Sequence, residues 1–278
     1  MSGTLYLCAT PIGNLEDITL RVLRTLKEVD LIAAEDTRNS IKLLNHYEIK
    51  TPMTSYHEFN KYEKAEVLVG KLREGTSIAL ITDAGTPGIS DPGEVLVRRA
   101  MEENIPVTSL PGAAACITAL TLSGLSTRRF AFEAFLPSDK KERQRILEEL
   151  KKETRTILLY EAPHHLRKTL KELYEVLGCR KISVVKELTK KHETIFTSDL
   201  EEVVRYYEEN EPRGEYVIVI EGKSQEEILQ EAQEKWEEMG LPEHMEFYES
   251  QGMDRKSAMK QVAKDRGISK REVYQALL

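Results

Sequence analysis

The first 112 residues alternate short apolar strand patterns with amphipathic helix patterns, and this alternation constrains the fold more than any other feature of the chain. Strand patterns cover 5–9, 31–34, 77–82 and 107–110, and helix patterns cover 15–29, 39–46, 61–73 and 94–103. In the first helix Leu15, Ile18, Val22, Leu26 and Val29 recur at three- and four-residue spacing, which predicts one buried face. Repeated βαβ units require parallel strands joined by right-handed crossovers, so the spacing predicts a doubly wound parallel sheet. In such open sheets ligands bind beyond the C-terminal strand ends.

One of those ends carries an unusual loop. The apolar run Ser77–Thr82 is followed by Asp83-Ala84-Gly85-Thr86-Pro87-Gly88-Ile89-Ser90-Asp91-Pro92-Gly93, with three glycines and two prolines in eleven residues. These residues can continue neither strand nor helix. The loop also exceeds the two to six residues of an ordinary strand-to-helix connection, which points to a shaped ligand pocket. A long surface loop of turn-forming residues is the alternative.

Pro111-Gly112 breaks the chain before an Ala-rich helix over 113–123. A second α/β half follows, with strands near 130–135, 156–160 and 181–185, an extended Glu193–Thr197, and the strand Tyr216–Ile220; helices over 140–152, 164–177 and 199–209 separate them. After Gly222 a Glu-rich helix over 225–239 presents Ile228, Ala232 and Trp236 on one side. Two further helices, Asp254–Asp265 and Lys270–Leu278, resemble a helix-turn-helix, with Gly267 suited to end the first and Ser269 with Glu272 forming a capping box for the second. The expected domains are therefore 1–112, 113–222 and 223–278, and two α/β domains of similar size usually meet at a ligand-binding cleft.

The 278 residues are 40% hydrophobic and 31% charged, which predicts globular cores and excludes a disordered chain. The weakly polar run Ala113–Leu122 is far shorter than the ~20 apolar residues of a membrane span. The N-terminus enters a strand at once, with no basic segment or cleavage site, so a cytoplasmic location without membrane attachment is expected. Cys8, Cys116 and Cys179 are odd in number and far apart, which fits reduced thiols better than disulfides. The net charge of −7 hides an asymmetry: residues 222–250 hold nine glutamates against two lysines, whereas 251–278 hold seven Lys/Arg against three Asp/Glu. A basic tail on an acidic chain is a local signal for a polyanionic partner.

The first strand ends Thr10-Pro11-Ile12-Gly13-Asn14, with a single glycine where a dinucleotide fold would carry G-x-G-x-x-G to cradle pyrophosphate. Glu35-Asp36 could imitate the ribose-binding carboxylate of a dehydrogenase, but alone it is weak, and no P-loop sequence supports nucleotide hydrolysis. S-adenosylmethionine has no phosphate, and turn-rich loops with exposed backbone can hold its adenine, ribose and amino-acid ends.

Six segments carry a family resemblance: Ala9–Thr19, Ala34-Glu35-Asp36-Thr37-Arg38, Asp83–Gly93, Leu110-Pro111-Gly112-Ala113, Tyr160-Glu161-Ala162-Pro163-His164 and Lys186-Glu187-Leu188-Thr189-Lys190. In this order they resemble the ribosomal RNA small subunit methyltransferase I family of the tetrapyrrole methylase superfamily, from about Gly3 to Gly222, and the basic tail resembles that family's C-terminal helix-turn-helix. The resemblance implies a homodimeric methyltransferase with S-adenosylmethionine in the cleft between its two α/β domains. The implied reaction is methylation of a cytidine ribose 2′-hydroxyl in the decoding region of 16S ribosomal RNA in the 30S subunit. It further implies that Pro11, Ile12, Asp83, Ala84, Gly85, Thr86, Pro87, Ile89, Ala113, Ala114, Ala115 and Tyr160 line the cofactor site. A serine is expected after Pro111-Gly112, and this chain has Ala113-Ala114-Ala115 there.

Methyl transfer from a sulfonium is an in-line displacement that depends on positioning. A carboxylate or lysine near the weakly acidic ribose hydroxyl would help remove its proton, and Glu187, Lys190 and Asp36 are the candidates. Surface ion pairing accounts for each equally well. Arg38, Arg128, Arg129, His164, Arg167, Arg213, Arg255, Lys256, Lys270 and Arg271 are candidates for RNA contacts, although solvated helix faces also explain single cations. Adjacent residues of a helix point about 100° apart, so His164 and His165 cannot share a metal, and no metal site is expected. A tetrapyrrole or translation-factor methylase of the same fold is the nearest alternative. A ligand-sensing DNA-binding regulator is another, opposed by a short last helix with few residues to read bases.

Overall fold

The computed structural model describes residues 2–228, 230, 236 and 239–278. They form two compact units, Met1–Leu150 with Thr156–Glu221, and Lys151–Arg155 with Gly222–Leu278.

The first unit is built on two five-stranded sheets. Sheet one holds β1 (Leu5–Cys8), β2 (Leu31–Ala34), β3 (Met53–Ser55), β4 (Ile78–Ile81) and β5 (Val107–Leu110) in the order β3-β2-β4-β1-β5, with every pair parallel. Helices cover both faces, as the alternating pattern requires. Ala65, Leu68, Leu72, Leu96 and Ala100 of α3 (Lys61–Arg73) and α4 (Gly93–Glu102) pack on Leu5, Ile78 and Leu80. Val22, Leu26 and Leu44 of α1 (Leu20–Glu28) and α2 (Thr37–His46) pack on Cys8, Ile32, Ala79 and Ile81 of the other face.

Two local expectations are corrected. The helix expected over 15–29 is divided: Leu15–Asp17 make a 3-10 turn, and α1 starts only at Leu20, because the Thr19 side chain caps it by accepting from the Val22 N–H at 3.2 Å. The short edge strand β3 has no counterpart in the apolar pattern. Its three residues are only partly buried, so no alternation marks them.

Sheet two holds β6 (Phe130–Phe135), β7 (Thr156–Glu161), β8 (Lys181–Lys186), β9 (Thr194–Asp199) and β10 (Tyr216–Ile220) in the order β6-β7-β10-β8-β9. Here β6 and β7 are parallel, while the last strand β10 inserts antiparallel between β7 and β8. All five β10 residues are buried, as a central strand covered on both faces demands. One face packs under α6 (Lys140–Lys151), α7 (Pro163–Leu177) and α8 (Leu200–Glu209). The other face, Leu158, Val185, Val217 and Val219, packs against α5 (Ala115–Leu122) and against Ile12 from the loop after β1. Each such aliphatic side chain, fully buried, contributes roughly 1.5–3 kcal/mol, so Ile12 is an apolar link between the loop of one sheet and the core of the other.

The second unit contains α9 (Leu241–Ser250), α10 (Arg255–Asp265) and α11 (Lys270–Ala276) around Met245, Ala258, Val262, Ala263 and Val273. The expected pair of helices is thus joined by a third, α9, which the sequence pattern left unmarked. The Ser269–Glu272 capping box forms in both directions, at 3.2 and 2.6 Å. Trp236 stacks on the buried His244 ring at 3.8 Å; Ala232 lies outside the described residues. No described helix is long and apolar enough to cross a membrane.

Candidate active site

The loops after β1, β2, β4 and β5 leave the same edge of sheet one, because the sheet is parallel. The loop after β1 meets the loop after β4 through paired backbone hydrogen bonds, Thr10 N–H to Gly85 oxygen at 2.9 Å and Gly85 N–H to Thr10 oxygen at 3.1 Å. Gly85 has φ +84°, and a Cβ there would lie 3.2 Å from the Ile12 side chain and 3.3 Å from the Ala113 carbonyl, so conformation and space both favour glycine. Thr86 Oγ1 donates to the Ala113 carbonyl at 2.9 Å, which ties the β4 loop to the segment after β5. Asp91 accepts from the Gly88 and Gly93 N–H groups at 2.7 and 2.8 Å. The eleven-residue loop is therefore a fixed structure closed on its own carboxylate.

Sheet two supplies the facing wall. Because β10 is antiparallel to β7 and β8, the ends of β7 and β8 and the start of β10 share one edge, with Tyr216 opposite both Glu161 and Lys186. Gly13 approaches this edge closely: a Cβ there would sit 2.8 Å from the Leu188 carbonyl. Between the walls lies a cavity of about 480 Å³, within the size range of small-molecule sites.

From sheet one the lining is Ile12, Glu35, Thr82–Thr86, Ile89 and Ser90, followed by Ala114 and Ala115; from sheet two it is Phe135, Tyr160–Pro163, Val185, Leu188 and Glu215–Val217. The structure thus brings together Ile12, Asp83, Ala84, Gly85, Thr86, Ile89, Ala114, Ala115 and Tyr160, while Pro11, Pro87 and Ala113 stand just outside the lining. Sequence reasoning missed the sheet-two contribution from Val185, Leu188, Glu215, Tyr216 and Val217. Only strand pairing reveals it, since β10 lies about thirty residues beyond β8 in sequence and beside it in space.

The alanines after Pro111-Gly112 solve the missing serine differently. Ala114 is the N-cap of α5 and has no side-chain hydrogen bond to offer. The Tyr160 hydroxyl reaches across from β7 and accepts from the Cys116 N–H at 3.3 Å. Burial raises the Tyr160 pKa, so the hydroxyl stays neutral, and Phe132 and Phe135 pack edge-on to its ring at 5.0 and 5.6 Å.

Four acidic residues are among those lining the cavity, Glu35, Asp83, Glu161 and Glu215, and no lysine, arginine or histidine is. The Glu161 carboxylate is bonded to Thr169 of α7 at 2.5 Å, and that of Glu215 is paired with Lys190 at 2.8 Å. Glu35 Oε2 accepts from the Thr82 hydroxyl at 2.5 Å. Asp83 accepts from the Asp36 N–H at 3.2 Å and from Asn39 at 3.4 Å; burial, then the nearby Glu35 charge, raises its pKa. Such a carboxylate suits proton acceptance.

None of the three proton-transfer candidates from the sequence lines this cavity. Asp36 caps α2, and hydrogen bonds from the Arg38 side chain and backbone hold its carboxyl down at about 2. The Glu187 carboxyl accepts from Lys190 Nζ and the Glu215 N–H, each at 2.9 Å, and the Lys190 bond leads the causes that lower its pKa. Burial works against the Lys190 charge, but hydrogen bonds to Glu215 and Glu187 outweigh it and raise the pKa. The three are thus held in charged pairs.

The candidate RNA-contacting residues are all exposed, and those of the first unit are not gathered at one place. Arg38 pairs with Asp36, Arg213 pairs with Glu211 beside the cavity end of β10, and Arg167 donates to the Tyr207 carbonyl at 2.6 Å. Arg128 and Arg129 precede β6, at the strand end opposite the cavity. His164 is the second residue of α7, where its ring lies 4.1 Å from that of His165 despite the angular separation of neighbouring helical positions. Arg255, Lys256, Lys270 and Arg271 belong to the second unit. Among the described residues no group of three or more His, Cys, Asp or Glu side chains is placed to hold a metal ion.

Comparison with known proteins agrees with this architecture. The family described as Tetrapyrrole (Corrin/Porphyrin) Methylases matches residues 4–204. Among solved structures, diphthine synthase has a TM-score of 0.62 at 13% identity, covering 80% of this chain and 91% of that one. Uroporphyrin-III C-methyltransferase from Thermus thermophilus, solved with S-adenosylhomocysteine, has a TM-score of 0.56 at 19% identity, covering 79% and 92%. These likenesses concern the fold. Much closer in sequence are two proteins named Ribosomal RNA small subunit methyltransferase I. That of Halalkalibacterium halodurans is 48% identical over 98% of this chain and 93% of its own length, and that of Bacillus subtilis is 48% identical over 99% and 94%. The chain therefore belongs to the ribosomal RNA small subunit methyltransferase I family, within the tetrapyrrole methylases.

Proposed function

We propose that this methyltransferase uses S-adenosylmethionine to methylate the ribose 2′-hydroxyl of a cytidine in the decoding region of 16S ribosomal RNA, acting as a homodimer on the 30S subunit. The observation that carries the cofactor reading is the lining of the cavity: apolar walls, exposed loop backbone and the acidic side chains of Glu35 and Asp83, with no lysine, arginine or histidine among the lining residues. A phosphate-bearing cofactor would meet repulsion there, whereas a phosphate-free cation fits. Support for the RNA substrate comes from the names of relatives that match nearly the whole chain.

When bound, S-adenosylmethionine supplies an electrophilic methyl carbon on a sulfonium. The residues of the chain hold, orient and exclude water. Ile12, Ala114, Ala115, Tyr160 and Val217 form apolar walls, and the Gly85 turn exposes backbone to the ligand. Asp83 takes the hydroxyl proton, since it lines the cavity with a raised proton affinity, whereas Asp36 and Glu187 are held ionised and Lys190 is held protonated. The exposed tail cations Arg255, Lys256, Lys270 and Arg271 supply phosphate neutralisation.

The test is to incubate the protein with isotopically labelled S-adenosylmethionine and either naked 16S RNA or 30S subunits, and then to map the labelled nucleotide. Label on a cytidine ribose of the decoding region is expected; label on a base, or none on either RNA, refutes the substrate. In the same assay a chain lacking 251–278 is expected to bind 30S subunits more weakly and S-adenosylhomocysteine with unchanged affinity. Unchanged RNA affinity would remove the tail from the interface.

A further inference from the structure

Strand β6 breaks its own alternation just before it reaches the cavity. Phe130, Ala131 and Phe132 pair in step with Thr156, Ile157 and Leu158, but the next pair is Phe135 with Tyr160, so Glu133 and Ala134 together oppose the single Leu159. Ala134 occupies the left-handed region at φ +51°, a strained conformation for a residue with a Cβ. In an unbroken strand Phe132 and Phe135 would point to opposite faces. The bulge brings both against the Tyr160 ring and returns Leu136 to the core under α6, α7 and α8. Bulges beside active sites re-aim a side chain. β6 is also the edge strand of sheet two, held by a ladder on one side only. A bulge that merely protected this edge would turn a charge or a proline outward; this one delivers a phenylalanine to the cavity wall.

We propose that Phe135 is a substrate-binding residue that stacks on the base of the target nucleotide at the cavity entrance. This rests on the reading that the cavity serves methylation of a ribose in ribosomal RNA. Among the large apolar side chains of the lining only Phe135 and Ile89 are exposed, at 55% and 49%, and they come from opposite walls. Ile12, Val185, Leu188, Tyr216 and Val217 are buried, so Phe135 and Ile89 mark where the cavity opens to solvent. A cavity of about 480 Å³ is too small for an RNA helix, and a ribose hydroxyl reaches the methyl carbon only if its nucleotide leaves the stack. Extrusion deprives the base of its stacking neighbours, and an aromatic face at the entrance replaces one of them. Every base has a π face, so the ring holds the nucleotide in place while the choice of base is left to other contacts.

The experiment measures methylation of 30S subunits at saturating S-adenosylmethionine by the full chain, Phe135→Leu and Phe135→Tyr, together with calorimetric titration of each by S-adenosylhomocysteine. Leucine keeps an apolar side chain without a π face, and tyrosine keeps the face. The expected result is that Phe135→Leu lowers kcat/KM for 30S subunits about tenfold, the loss of one base–aromatic stack. Phe135→Tyr should keep the wild-type value, and all three chains should bind S-adenosylhomocysteine equally. Equal kcat/KM for Phe135→Leu and the wild type overturns the proposal, as does an equal loss in Phe135→Tyr. A parallel fall in S-adenosylhomocysteine affinity would assign the ring to the adenine of the cofactor and overturns it too. Should Phe135→Leu fail to fold, Phe135→Met takes its place with the same expected loss. A wild-type chain that methylates no RNA sinks the substrate reading itself, whereas an active wild type beside an equally active Phe135→Leu sinks the stacking role alone.

Discussion

The two sheets have the same number of strands but contribute to the cavity in different ways. The parallel sheet offers loops: Asp83–Ser90, Ile12 and the alanines before α5 all follow strands whose C-terminal ends share one edge. The mixed sheet offers strand ends: Tyr160 and Glu161 close β7, Val185 lies near the end of β8, and Tyr216 and Val217 open β10. Loops can carry glycines and left-handed turns that a regular strand could not, so the shaped backbone of the site belongs to sheet one. Strand ends are held by ladders on both sides, so sheet two provides a stiff wall against which a ligand is located. The comparison teaches that substitutions in the first region should change chemistry with little loss of fold, and substitutions in the second should do the reverse.

The strongest challenge to that division is Asp83→Asn. The methyl-transfer kcat is expected to fall about 10²–10⁴-fold, the usual range for loss of a general base, with the melting temperature nearly unchanged. The pH profile sets the sign: Asp83 must be ionised to accept a proton, so the wild-type rate rises as pH increases through its pKa, which lies above the usual 3.8. The variant should lose that acid limb, and a retained limb would assign it to another group.

Ile218→Ala asks the converse question. Ile218 is fully buried in the central strand of sheet two, and truncation should destabilise the chain by about 2–5 kcal/mol. The variant's residual folded fraction should bind S-adenosylhomocysteine with nearly wild-type affinity when titrated well below its melting temperature. Weakened binding without a lower melting temperature would mean that the wall is soft and the division false.

The smallest effect sharpens the picture of the loop side. Carbon-detected NMR should find the Asp36 carboxyl titrating at about 2. A depressed folded-state value means that its support for the α2 N-terminus is fully present above pH 3.8 and is lost only as pH falls through about 2. Arg38→Ala should return the titration toward 3.8, because the Arg38 side-chain hydrogen bond is the largest cause of the depression. A value unmoved by this change would show the cap to be independent of the pair.

Much of the architecture was legible in the chain because it is local or periodic. The helix of α3 over 61–73, the strands 31–34 and 107–110, the Asp83–Gly93 loop and the Ser269 capping box all depend on residues within a few positions of one another. The split of the first helix depends on a single hydrogen bond by Thr19, which competes with an apolar pattern that runs straight through it. β3 and α9 were illegible for a different reason: one is three residues at a sheet edge, and the other is a helix with only His244 and Met245 buried.

The residues by themselves determined the parallel first sheet, the shaped loop at its ligand-binding edge and the separation of an acidic body from a basic tail, since spacing and composition need no partner to be read. Tertiary structure alone decided that β10 would enter sheet two between β7 and β8, and that Tyr160 would cap α5 in place of a serine. It alone brought Glu35, Asp83, Glu161 and Glu215 from distant segments to one cavity, and it paired Asp36, Glu187 and Lys190 with opposite charges. Electrostatics and packing depend on distance in space, and the chain brings residues as far apart as Ile12 and Val217 into a single wall.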